Sequence, residues 1–236
     1  TPSKLKYISK TGYFGILTSI TLVFIYLAGM NSFTLFKVFN TYPNNLIALE
    51  NTIQATALMP YKEEYVATQE NLYVQLLTND RHMFSEEGKQ QLFQRGLLAA
   101  REAIQRNPLR DLNYTNKAKL YGLDPAEKKN HLEEIVNAYS EAIRLDPFNM
   151  QTRIDFSNTL MEFGKKEQAI KTMQGGLERT YYSNYTNGIL YLQLLLALVI
   201  ETNDPVIVDS LKSQISTLID KQGLGGYFTL QSPFIL

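Results

Sequence analysis

An alanine stands five residues ahead of a proline three times in this chain, each time at the end of an apolar helical stretch: Ala55 and Pro60, Ala103 and Pro108, Ala142 and Pro147. The prolines fall 48 and 39 residues apart. Recurrence at this interval is how stacked helix pairs are written into sequence, because each pair leaves an apolar face that only the next pair can cover. The chain is therefore expected to be all-α, a stack of paired helices without a sheet.

Capping and breaking residues divide the chain between these marks. Asn45 is placed to cap a helix over about 46–59 that Pro60 ends, and a second helix follows over about 63–77. A polar loop at 79–88 leads to Ser85 as the cap of a helix that closes before Pro108. The next helices cover about 112–121 and 127–145, the second with Asp124 as its cap and Pro125 at its first position. Residues 149–163 and 165–179 form the cleanest pair, with Gly164 making the tight turn. The run over 185–202 is strongly apolar around Ile189 to Ile200, too short to cross a bilayer and so expected to be a buried core helix. Residues 206–219 are amphipathic and expected to pack back on it; together 181–222 read as capping helices. The tail, 223–236, has no helical period.

Upstream, no charged residue occurs between Lys10 and Lys37. Residues 11–36 are long enough to cross a hydrocarbon core of about 30 Å as one helix. Lys4, Lys6 and Lys10 precede this stretch, which places the basic flank 1–10 in the cytoplasm and everything beyond about residue 36 outside it. A cleaved signal peptide is the rival reading, opposed by the length of the apolar core and by the lack of a clear small-x-small site after it. The chain opens on Thr1, as a trimmed protein or the C-terminal piece of a longer one would.

Twenty-three basic and 23 acidic residues leave no net charge, which argues against a nucleic-acid partner. There is no cysteine, so packing and not disulfide bonding must hold the fold, and thiolate chemistry is excluded. His82 and His131 stand apart from any paired-ligand spacing and read as surface or helix-capping residues. Glu86-Glu87 and Glu133-Glu134 are sequence neighbours that point different ways on a helix, and suit the positive end of its dipole better than shared proton transfer. Gly223-Leu-Gly-Gly226 lacks the strand before it and the helix after it that a phosphate loop requires. Asn113-Tyr-Thr115 and Asn184-Tyr-Thr186 match the glycosylation sequon, which matters only in a secretory pathway. No catalytic centre, metal site or cofactor is expected in this chain.

Over residues 44–180 the pattern resembles the tetratricopeptide repeat. Ser157, Ala169 and Gly176 occupy small positions and Leu160 a large apolar one. Alignment on the prolines puts Ala48, Gly96 and Ala169 at one small position, and Ala55, Ala103, Ala142 and Gly176 at another. Ile135 and Glu70 depart from it, and the long spacings predict insertions at 79–88 and 122–131. The resemblance implies a concave groove lined by the first helix of each pair, with Asn71, Lys119 and Asn158 at a ninth position that can clamp a peptide carboxylate or backbone. Tyr114 and Arg153 stand at the neighbouring fourth position.

The layout, a membrane helix running into an outward-facing degenerate repeat domain, also resembles the C-terminal part of bacterial O-antigen ligase or polymerase-like membrane proteins. That resemblance implies a bacterial inner-membrane location with the repeats on the periplasmic side. It also implies a protein or peptide partner, with a glycan as a further candidate, and glycan-transferring residues in upstream segments that this chain lacks. Two functions are thus expected of the segment: the accessory tail of such an enzyme, or a free-standing single-pass scaffold of an envelope complex.

Overall fold

The computed structural model describes residues 18–26, 29–30, 44–177, 185–200 and 205–221. Most of the expected span 11–36, and all of the tail 223–236, lie outside these residues. Residues 18–26 are helical, and no helix among the described residues is long and apolar enough to cross a membrane.

Beyond that segment the described residues form nine α-helices: α1 (Asn45–Leu58), α2 (Glu63–Thr78), α3 (Glu86–Arg106), α4 (Asp111–Gly122), α5 (Leu132–Leu145), α6 (Met150–Glu162), α7 (Lys166–Gln174), α8 (Tyr185–Ile200) and α9 (Pro205–Lys221). They associate as α2 with α3, α4 with α5, α6 with α7 and α8 with α9, while α1 packs on α2 as the second helix of an incomplete pair. First helices also meet one another, α2 with α4 and α6 with α8.

The recurring Ala and Pro mark one local structure made three times. The residue before each proline donates its backbone N–H to the carbonyl of the alanine, Met59 to Ala55 at 2.9 Å, Asn107 to Ala103 at 2.9 Å and Asp146 to Ala142 at 3.0 Å. All three of these residues leave the helix in the same non-helical conformation, with φ between −138° and −127° and ψ between 69° and 86°. The following proline enforces that exit, because its ring disfavours helical geometry in the residue before it and it has no N–H to continue the ladder. The alanines themselves are 0 to 2% exposed, so the same residue that closes each helix also lets the next one approach.

Gly96 shows how close that approach is. A Cβ there would fall 2.8 Å from Leu120 Cδ2 and 3.0 Å from Tyr73 Cβ, so α3 lies directly on α2 and α4. Gly164 adopts φ +70°, the left-handed conformation that the tight turn between α6 and α7 needs. A continuous core runs from Leu49 in α1 to Ala169 in α7. A second joins Met150, Ile154 and Met173 to Tyr191, Leu192, Leu195, Leu196 and Val199 of α8 and Leu211 and Ile215 of α9. The apolar run of α8 is thus spent on packing within the stack.

Two helix starts differ from expectation. Asn44, not Asn45, caps α1: its Oδ1 accepts from Leu46 N at 3.0 Å and Ile47 N at 3.3 Å. Asn45 is already helical, and its amide donates to Asp80 Oδ2 at 2.8 Å, tying the start of α1 to the end of α2. Asp124 does accept a backbone N–H, from Ala126 at 2.8 Å, but its other oxygen is held by His131. The chain accordingly makes a 3-10 turn over Lys128–His131, and α5 starts only at Leu132. Ser85 caps α3 as expected, its Oγ accepting from Gly88 N at 3.2 Å. Both acidic pairs lie in first turns, Glu86 and Glu87 in α3 and Glu133 and Glu134 in α5.

Candidate functional site

The first helices α2, α4 and α6 border a groove of about 420 Å³. From α2 it receives Asn71, Gln75 and Asn79, four residues apart and therefore on one face of the helix and the residue that ends it. No hydrogen bond among the described residues occupies these three carboxamides. Opposite them, α6 contributes Asp155, Thr159 and Glu162. Lys119 of α4 reaches across to Asp155 at 2.6 Å. Lys128, in the inserted 3-10 turn, pairs with Glu162 at 2.5 Å and lies 5.8 Å from the centre of the Phe163 ring. Tyr139, from α5, also lines the groove, stacked on Phe156 with ring centres 5.0 Å apart. Burial, reinforced by the Asp155 and Glu162 charges, keeps its phenol protonated well above the ordinary tyrosine range.

The chemistry of the groove follows. Its two lysines are matched by two carboxylates at ion-pair distance, so it presents no net charge, while the α2 carboxamides remain open as both donors and acceptors. A lining of this kind suits the alternating N–H and C=O groups of an extended backbone. It does not suit a proton-transfer reaction: Lys119 and Asp155 are committed to each other. Among the described residues, no group of three or more His, Asp or Glu side chains is placed to hold a metal ion.

Of the five residues expected on the concave face, the structure brings Asn71 and Lys119 together in this groove. Asn158 is exposed on α6 at a separate, smaller cavity of about 130 Å³ that Ile154, Ser157, Met173 and Leu198 line between α6, α7 and α8. Tyr114 and Arg153 stand elsewhere. The Tyr114 hydroxyl donates to the carbonyl of Pro108 at 3.1 Å, bracing the turn before α4. Arg153 is 6% exposed and donates Nη1 to Thr172 O at 3.2 Å, with Gly175 and Gly176 packed on its side chain. The fourth position of a first helix faces a turn or a partner helix here, and the ninth opens toward the groove or its neighbouring cavity. Gln75, Asn79 and Asp155 were not expected at the groove, although Gln75 and Asn79 lie one and two turns beyond Asn71 on the same helical face.

A further cavity, of about 460 Å³, lies between α3 and α5 on the side built by second helices. His131 binds Asp124 Oδ2 through Nε2 at 2.8 Å and stands against the ring of Tyr121, centres 4.9 Å apart. Its role here is to hold the 122–131 insertion in place. Asn113 of the first sequon is 1% exposed and donates its amide to Ala103 O and Asn107 O at 3.0 and 3.2 Å, which closes it to glycosylation in the folded chain.

Paired helices, small residues at most of their joints and a groove lined by first helices together define an α-solenoid of the tetratricopeptide type. The chain is similar to "Crystal structure of MamA protein", with a TM-score of 0.56 at 10% identity over 87% of this chain and all of that one. It is similar also to "MamA RS-1 ArsTM double mutant", at 0.55 and 11% identity over 82% of this chain and 94% of that one. The thermophilic tetratricopeptide protein TTC0263 of Thermus thermophilus overlaps it at a TM-score of 0.45 and 13% identity, over 74% of this chain and 90% of that one. At 10 and 11% identity the likeness to the two MamA structures shows the fold alone. No protein-family model and no curated relative matches the sequence.

Proposed function

We propose that this chain is a tetratricopeptide-like interaction module that holds an extended stretch of a partner protein in the groove across α2, α4 and α6. The observation that carries the reading is the row of open carboxamides, Asn71, Gln75 and Asn79, facing a wall whose charges are already paired. An uncharged backbone can bond to that row without displacing an ion pair, whereas a free carboxylate would have to compete with Asp155 for Lys119. Replacing Asn71 and Gln75 together by alanine is expected to weaken capture of the partner in a pull-down from envelope extracts while helicity is unchanged. Undiminished capture would refute the groove as the binding site.

The module is anchored, in this reading, by residues 11–36 in a bacterial inner membrane, with the repeats on the periplasmic side. The uncharged stretch from 11 to 36 and the lysines before it support this. Because the chain has no cysteine, single cysteines at Lys4 and Asn158 report topology cleanly. An impermeant thiol reagent added to intact spheroplasts should label the position at 158 and spare the position at 4; the reverse pattern would invert the orientation. The resemblance in layout favours a role as the accessory tail of an O-antigen ligase or polymerase-like protein over that of a free-standing scaffold. Further hydrophobic segments in the reading frame upstream of Thr1 are what that role requires, and a start codon close by would select the scaffold.

A further inference from the structure

Met30 packs on Ala55, Met59 and Tyr65, where the end of α1 turns into the start of α2. This contact ties the helical residues 29–30, which follow the apolar helix 18–26 in sequence, to one corner of the solenoid, the turn at 58–62. The outward side chains of that corner are themselves apolar, Leu58 56% exposed and Tyr61 69% exposed. Leu46, Ile47 and Ile53 extend the same character along α1, although the first helix of a repeat stack ordinarily shows solvent a polar outer face. Part of the backbone of the corner is already paired: Arg106 donates to the carbonyl of Pro60, and Lys62 N donates to Met59 O at 3.1 Å.

The occupant of this surface is indicated by the helix over 18–26, which precedes Met30 in the chain. Leu22, Val23, Phe24, Ile25 and Tyr26 are five successive residues, each 56 to 69% exposed. At roughly 100° per residue they run all the way around the helix. A protein partner covers a stripe of a helix; a helix apolar on every side is surrounded by core or by lipid. If residues 11–36 span the bilayer, Met30 sits about 9 Å inside the outer end of the span, and whatever packs on it lies at interfacial depth. Tyrosine beside lysine, as in Tyr61-Lys62, suits that zone, the ring entering the acyl boundary and the cation meeting phosphates.

We infer that the turn at 58–62 is seated in the headgroup region of the bilayer, with Leu58 and Tyr61 facing lipid, so that the first helix pair is held against the membrane. This inference rests on the reading of 11–36 as a membrane span. It gives the solenoid a fixed attitude on the membrane surface, α1 lowest and later repeats further along the stack.

The chain contains no tryptophan, so single-tryptophan variants report one place each. The full chain carrying Phe24→Trp, Tyr61→Trp, Leu58→Trp or, as the distant exposed control, Phe148→Trp is reconstituted in vesicles of phosphatidylethanolamine and phosphatidylglycerol. Parallel samples carry spin-labelled lipid with the label either near the headgroup or deep in the acyl chain. The Phe24→Trp variant should lose fluorescence chiefly to the deep label. Tyr61→Trp and Leu58→Trp should lose it chiefly to the shallow one, and Phe148→Trp to neither. Quenching at 24 with none at 58 or 61 would overturn the inference and leave the anchor standing. Emission at 61 that shifts to the blue without quenching would overturn it in favour of a second copy or another protein covering the corner. No quenching at 24 would remove the anchor and the inference together.

Discussion

Glu70 is the residue most at odds with its surroundings. It occupies the eighth position of α2, where the corresponding residues of α4 and α6 are Ala118 and Ser157, and it is 0% exposed. Among the described residues neither of its carboxyl oxygens makes a hydrogen bond of full geometry, and the amide nitrogen of Asn116, beside it in the same joint, makes none either, so the two interact without a well-formed bond. Burial drives its pKa up to about 8, against smaller downward pulls from the Asn116 amide and the Arg110 charge. The acid is therefore largely protonated at neutral pH. Since the folded value lies above the ordinary one of 4.5, the stability linked to this proton is complete below about pH 4.5 and is lost as pH rises through about 8. Glu70→Gln keeps the shape and removes the titration. It is expected to raise the melting temperature at pH 8 by more than at pH 5, the difference amounting to at least about 1 kcal/mol. A pH dependence of melting identical to that of the parent would show that Glu70 does not carry this linkage. Sequence alone marked Glu70 as an exception to the small-residue pattern. Its protonation could not be read there, because that depends on how completely α4 covers it.

Helix ends decide how much of each element was legible. The three Ala and Pro marks carry a complete instruction in sequence, since both the hydrogen bond and the exit angle are local, and the three helices α1, α3 and α5 end where the marks say. The start of α5 is less legible. Asp124 and Pro125 look like a cap and first turn, but the Asp124 pair with His131 is made across the insertion and postpones the helix by five residues from the expected 127 to Leu132. Asp124→Ala removes both this pair and the acceptor for Ala126 N, and is expected to destabilise the fold by about 1 to 3 kcal/mol. Urea unfolding followed by circular dichroism checks it, with hydrogen exchange of the 122–131 amides expected to speed up more than that of α6. At the joints, Ala142→Leu and Ala169→Leu should each cost about 1 to 3 kcal/mol by overpacking, since both alanines are fully buried. Unchanged melting in both variants would refute the repeat register. The candidate site was legible in the same measure. Asn71 and Lys119 stand at the ninth position that the tetratricopeptide resemblance implies, while Asp155 enters only because α6 lies across from α4, a contact between residues 36 apart in sequence.

At the scale of the molecule, the helices form overlapping cores, one from α1 to α7 and one from α6 to α9, with α6 and α7 shared between them. That organisation lets a groove run across several repeats without interrupting any single core, and it is why insertions such as 122–131 can add Lys128 to the groove wall at little cost to packing. In the proposed function this groove, and not the cavity between the second helices, receives the partner. The direct test is a photo-activated cross-linking amino acid placed singly in the full chain in cells, at Asn79 or Thr159 within the groove and at Gln90 or Gln94 on the opposite side. Binding in the groove predicts adducts from 79 and 159 that disappear when Asn71 and Gln75 are both alanine, and none from 90 or 94. Adducts from 90 and 94 alone, or adducts at 79 and 159 that survive the double replacement, would contradict it.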